Sequence, residues 1–341
     1  MTTSVIPAVG AGVPLRVLDC SLGAMAHALP RRWLTSDSCQ SVARFALDII
    51  TGGIIMAGAT ETLVPLSLVD ALHNTYDDNT PGEGPQNEMW GSMEKYRQFI
   101  IFAAPRDVPK LIRRFPQYKK VCLCAPSGPL ASRMLFGKYF EEFYAEELNP
   151  ALYTLADAGD YKCTVWLRSS LTCRYEGLYV PPIRVAETAA RLLSCEVPGA
   201  SGSCSCERVV LEEGVCGLTP RWLETAIKTA SSCGIPINSI MLALCRGSVG
   251  SQSENYLLSK VIRMGMVSVA ASSVPAPVFP ETDELLGIDD IHTFSLGWND
   301  AYGGRVSAEE LESTDDCVEY CAAVRERWLR WPLLTRSEEI S

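Results

Sequence analysis

Val121-Cys122-Leu123-Cys124 is an unbroken apolar run, closed by Ala125-Pro126-Ser127-Gly128. A run with no polar alternation is what a strand buried on both faces requires, since each face meets packed side chains rather than water. Residues 136–147 follow, and helical spacing puts Phe136, Phe140, Phe143 and Tyr144 on one face. Buried strand then amphipathic helix is one β/α unit, and the unit recurs outward in both directions. Upstream the apolar runs are 15–19, 53–56 and 99–102; downstream they are 164–167, 208–211, 239–244 and 267–270. Helical patterns fill the gaps, among them 184–193 and 221–231, the second opened by Thr219-Pro220 as cap and first-turn proline. Eight such alternations predict a parallel (β/α)8 barrel, with an open doubly wound sheet as the alternative.

This periodicity divides the chain into a short N-terminal segment (1–13), a barrel (14–281) and a C-terminal helical segment (282–341) expected to pack on the barrel. Trp298, Trp328 and Trp331 belong to that last segment, and the reading is that they pack it rather than stack on a ligand. Two stretches read as loops: 76–92, polar and rich in breakers, and 198–206 (PGASGSCSC), rich in Gly and Ser.

Composition excludes several function classes. Of 341 residues, 47% are hydrophobic and 21% charged, enough for a large core. The net charge of −10 repels phosphate backbones, so direct nucleic-acid binding is not expected. No apolar run approaches the ~20 residues a bilayer span needs, so no membrane association is expected. The N-terminal segment has neither a basic n-region nor an Arg-rich amphipathic pattern. With 14 cysteines and no signal peptide, the expectation is an intracellular, reduced protein, cytoplasmic by this reading. Cys122/Cys124 and Cys204/Cys206 are C-x-C pairs off zinc-finger spacing, and the cysteines read as small buried hydrophobes rather than zinc ligands.

The middle of the chain carries a family pattern. Cys173-Arg174-Tyr175-Glu176-Gly177, then Val180-Pro181-Pro182 and Arg184-Val185-Ala186-Glu187, are followed by the loop 211–220 (LEEGVCGLTP). Leu242-Ala243-Leu244, Met264-Gly265, Ser272-Ser273-Val274 and Ile291-His292-Thr293 come in order after them. Together these resemble 3-hydroxy-3-methylglutaryl-CoA (HMG-CoA) lyase, from about residue 15 to residue 293. The resemblance implies a carbon–carbon lyase barrel that uses Mg²⁺ or Mn²⁺, is commonly dimeric, and can reside in the mitochondrial matrix.

The chain departs from that family where the chemistry lies. The wider superfamily opens on D-x-[ST]-L-R-D-G, where Arg polarises the substrate and Asp binds the metal. Here the frame reads Asp19-Cys20-Ser21-Leu22-Gly23-Ala24-Met25, with Gly23 for the Arg and Ala24 for the Asp. The acidic residue ending the second strand falls on Met56, and H-C-H after the seventh becomes Cys245-Arg246-Gly247. The loop 275–281 lacks the family's Cys and Asn, and only Glu213 stands in for the strand-six Asp. The fragment Gly84-Pro85-Gln86-Asn87-Glu88 resembles part of the metal motif but lies in the wrong place and is taken as coincidence.

Hard divalent cations take oxygen-rich donor sets, and Ala24 and Gly247 offer no donor atom. The expectation is therefore no metal ligand set, no cofactor and no assignable catalytic residue. Asp19, Glu212 and Arg246 remain as possible substitutes: Asp19 with Glu213 for another cation, or Cys245 as a nucleophile with Arg246 lowering its pKa. The alternative for each is a strand-end or loop charge. Three functions follow: a non-catalytic subunit, scaffold or regulator with protein partners or a second copy; an active acyl-CoA lyase with relocated ligands; and an acyl-CoA-binding module.

Overall fold

The computed structural model describes residues 8–9, 13–29, 39–69, 99–194, 196–199, 203–249, 257–301 and 308–338. Eight parallel strands close into a barrel. They are β1 (Arg16–Asp19), β2 (Glu61–Pro65), β3 (Phe99–Ala103), β4 (Lys120–Pro126), β5 (Tyr161–Cys173), β6 (Ser203–Glu213), β7 (Ile240–Ala243) and β8 (Ser268–Ala271). Neighbours follow chain order from β1 to β6, and β8 pairs with both β7 and β1, so no parallel edge remains. The open-sheet alternative is thereby excluded.

Seven of the eight expected strands lie where the apolar runs are. The exception is 53–56. That run ends the helix α2 (Cys39–Ile55), and the second strand is Glu61–Pro65. A short Gly/Ile-rich run reads equally well as a buried helix end, while the true strand is disguised by its charged first residue. Met56 is therefore not a strand end and does not reach the mouth.

Period-two alternation explains that charge. Glu61 points into the barrel, where it pairs with Lys120 of β4 at 2.8 Å and Arg208 of β6 at 2.5 Å. Three alternate strands thus supply one interior layer, as barrel packing requires. Burial pushes the Glu61 carboxyl up, but the two cations outweigh it and hold it below its ordinary value.

Two further readings are corrected. Residues 136–147 do not form one helix: the path is 132–136 in π-helix, a turn through Gly137, Phe140–Phe143 in α-helix and Tyr144–Leu148 in π-helix. The aromatic residues still cluster, with Phe136–Phe143 at 4.5 Å and Phe140–Tyr144 at 4.9 Å. The stretch 198–206 is no simple loop either. Ser203 to Cys206 begin β6, which pairs antiparallel with Glu196–Pro198. The loop 76–92, with Gly84–Glu88 inside it, lies outside the described residues.

Outer helices behave as read. α3 (Val108–Arg114) and α4 (Asn149–Asp157) are followed by α5 (Pro182–Leu193), which buries Val185, Ala186, Ala189 and Leu192. α6 (Pro220–Ser232) is capped by Thr219, whose side chain accepts the Trp222 N–H. After α7 (Leu257–Arg263) come α8 (Ile288–Ala301) and α9 (Ala308–Glu338). α9 packs on α2: Tyr320 donates to the Ile49 carbonyl at 2.9 Å, and Trp328 stacks on Phe45. His292 of α8 bonds the Ala57 carbonyl at 3.0 Å. Trp298 packs on Phe294, and the Trp331 side chain lies outside the description. Among the described residues no helix is long and apolar enough to cross a membrane.

Candidate functional site at the barrel mouth

The C-terminal ends of the strands are where barrels carry chemistry. Here that end is filled. Arg168, near the top of β5, lays its guanidinium 3.5 Å from the centroid of the Phe279 ring, and Phe279 also meets Trp166 and Phe102 edge-on at 5.5 Å each. Arg168 Nε donates to Glu212 at 3.2 Å, and its second contact is Glu281 at 3.4 Å. Glu212 also accepts from Trp166 Nε1 at 3.0 Å and from the Ser169 N–H at 2.5 Å. Ser169 takes a left-handed φ of 50°, a conformation that costs a non-glycine residue energy and here turns its N–H onto Glu212. Burial would lower the Arg168 guanidinium's pKa, but Glu212 and Glu281 outweigh it and hold the charge. The sequence reading missed Arg168 and Phe279. Its available signal was the lone Arg inside the run Thr164-Val165-Trp166-Leu167-Arg168.

Of the residues singled out from sequence, Glu212 belongs to this plug and Glu213 meets Cys245, while Asp19 and Arg246 turn to other partners. Asp19 ends β1 but faces outward, against α2: a Cβ on Gly53 would stand 2.5 Å from its Oδ2. Its Oδ1 accepts the Ser21 N–H and hydroxyl at 2.8 and 2.5 Å, and Oδ2 has no hydrogen-bond partner among the described residues. Burial pushes this carboxyl up to about 6. Asp19 and Glu213 therefore do not meet, and the joint cation site is not formed.

Glu212 and Glu213 are not solvated loop charges either; both are buried. Glu213 accepts the N–H groups of Gly217, Leu218 and Cys245 at 3.2, 2.9 and 2.9 Å, and so ties the loop after β6 to the end of β7. Cys245 points its thiol at the Glu213 carbonyl, 3.0 Å away. Burial, reinforced by Glu213, pushes that thiol's pKa up, the reverse of an activated nucleophile. Arg246 does not activate it; it pairs with Asp290 at 3.3 Å and Asp289 at 3.9 Å.

Gly23 and Ala24 lie in α1 (Ser21–Ala28), directly after β1. A Cβ on Gly23 would stand 3.0 Å from Val278, so the loop after β8 occupies the space a longer side chain would need. Beside the plug is a cleft of about 380 Å³, lined by Gly23, His27, Phe102, Asp107, Val278 and Phe279 among others and, among the described residues, by no Lys or Arg.

This architecture matches solved structures across nearly its whole length. HMG-CoA lyase from Brucella melitensis aligns with a TM-score of 0.60 at 12% identity, over 92% of this chain and 99% of that one. The barrel is HMG-CoA lyase-like. The Bacillus subtilis HMG-CoA lyase gives 0.61 at 12% identity over 94% and 95% of the two chains. The Pseudomonas aeruginosa enzyme gives 0.60 at 15% over 91% and 93%. No protein-family model and no curated protein matches the sequence. Such identities carry the fold, and the function must be argued from the site.

The residues present do not fit the Mg²⁺ or Mn²⁺ that the lyase resemblance implies. Ala24 and Gly247 supply no donor, Cys245 supplies sulfur, and the Glu213 carboxylate is spent on backbone N–H groups.

Proposed function

We propose that this HMG-CoA lyase-like barrel is non-catalytic and serves as a subunit, scaffold or regulator, with protein partners or a second copy of itself. The observation that carries the reading is the mouth plugged by Arg168, Phe279 and Glu212. A retro-aldol type cleavage needs an open, water-excluding pocket there, a cation for the substrate oxygens, and a donor for the developing enolate. The mouth is filled, the ligand positions are vacated, and the Arg of the superfamily motif is Gly23. Neither of the other readings gains support. An active lyase would need carboxylates at the mouth free to hold an ion, whereas Glu212 and Glu281 pair with Arg168. An acyl-CoA module would need a basic groove, and among the described residues the cleft beside the plug is lined by Asp107 and by no Lys or Arg.

The test is direct. Purified protein should retain no stoichiometric Mg²⁺ or Mn²⁺ by elemental analysis and should not cleave HMG-CoA. Cleavage that a chelator abolishes would overturn the proposal and restore the lyase reading.

A further inference from the structure

Cys216, Cys245 and Asp283 come from the loops after β6, β7 and β8, and their Sγ, Sγ and carboxylate oxygen lie within 4.8 Å of one another. We propose that these three side chains form a binding site for one zinc-class divalent cation, with a water or incoming donor completing four ligands. It does not depend on the barrel being inactive.

Donor chemistry argues first. Two thiols and one carboxylate suit a borderline-soft ion such as Zn²⁺ and are poorly matched to Mg²⁺. At Zn–S distances near 2.3 Å, tetrahedral ligands stand roughly 3.8 Å apart, so closure takes side-chain rotation of about an ångström.

Preorganisation argues second. Asp283 is held against the Cys216 loop, accepting the Cys216 N–H at 2.7 Å, while its own N–H bonds the Gly214 carbonyl at 3.3 Å. Cys245 is fixed from the other side by its N–H, which donates to the Glu213 carboxylate. On binding, both thiols give up their protons to solvent, and Cys245 exchanges its bond to the Glu213 carbonyl for the metal. Outer contacts of this kind orient ligands in metal sites.

Space argues third. A Cβ on Gly247 would stand 3.0 Å from Cys216 Sγ, so the absence of a side chain there is what admits the sulfur. Cys216 is exposed and Cys245 buried, which gives the ion an entry side and an enclosed floor. Bound there, the cation would staple three loops of the C-terminal face together.

Full-length protein, reduced and stripped with chelator, is titrated with Co²⁺ as the probe. One Co²⁺ per chain is expected, with the intense near-ultraviolet band of thiolate-to-cobalt charge transfer, and Zn²⁺ should displace it. Cys216→Ser and Asp283→Asn should each weaken Co²⁺ binding by about ten-fold or more. Cys233→Ser, an exposed cysteine outside the cluster, should leave it unchanged. Cys216 is exposed, so its variant should unfold at the same temperature as the apo protein and report on binding alone. Lack of the band while both thiols titrate as free, equal Co²⁺ uptake by the Cys216 variant, or a Cys216–Cys245 disulfide persisting under reductant would each overturn the site. Mg²⁺ retention and HMG-CoA cleavage are separate readouts, so this proposal and the non-catalytic one fail independently.

Discussion

The Arg168 guanidinium stacks 3.5 Å above the Phe279 ring centroid, joining the fifth strand to the loop after the eighth. The cation, its Glu212 partner and the ring are all buried, so each depends on the others. Removing one member of a buried ion pair strands the other and costs about 3–5 kcal/mol. Arg168→Ala and Glu212→Ala should each show a loss of that size in urea unfolding. The joint replacement Arg168→Met with Glu212→Met should lose clearly less than the sum of the single changes. Additive losses would mean that the pair is not coupled.

Phe279→Ala should cost about 3 kcal/mol through its lost contacts with Phe102 and Trp166. It should open the mouth without creating lyase turnover. An HMG-CoA assay on this variant tests whether the plug alone silences the barrel, and activity there would show that it does.

Asp19 predicts a pH dependence. Its carboxyl sits at about 6 in the fold against an ordinary 3.8, because burial disfavours its charge. Folding therefore takes up a proton between those values, and the contribution is fully present below pH 3.8 and lost as pH rises through 6. A shift of that size corresponds to roughly 3 kcal/mol at most. Asp19→Asn should gain stability relative to the parent as pH goes from 4 to 7. Parallel urea midpoints for the two proteins across that range would refute the assignment.

Gly53 illustrates a contact that outranks propensity. Alanine inside a helix is ordinarily favoured over glycine by about 1 kcal/mol. At this position the added methyl would stand 2.5 Å from Asp19 Oδ2, with α2 pressed on the strand. Gly53→Ala should therefore destabilise, by about 1–3 kcal/mol, as overpacked cores do. A thermal scan showing a gain would contradict it. For comparison, Thr219→Ala removes one exposed helix cap and should cost about 1 kcal/mol.

Much of the barrel was legible because double burial writes itself into sequence as unbroken apolar runs. Residues 121–124 and 164–167 are of that kind, and both are strand interior. The second strand was not legible, since Glu61 looks polar until its partners Lys120 and Arg208, far along the chain, are known. The vacated positions Gly23, Ala24 and Gly247 could be read by matching order and spacing. What fills the mouth could not, because Arg168 and Phe279 meet only through closure of the barrel. Direction was lost as well: nothing in Leu18-Asp19-Cys20 says that Asp19 turns outward, which depends on the register of β1 against β2.

The ion triple at the barrel floor carries a consequence for assembly. Glu61 and Lys120 lie in the first half of the chain and Arg208 in the second, so neither half alone can complete the layer. A half-barrel that collapsed early would bury the Glu61–Lys120 pair without its third member, or Arg208 with no counter-charge from this layer. Such states are penalised until opposite sides of the barrel meet. The floor thus acts as an interlock, favouring concerted closure of the ring over independent folding of its halves.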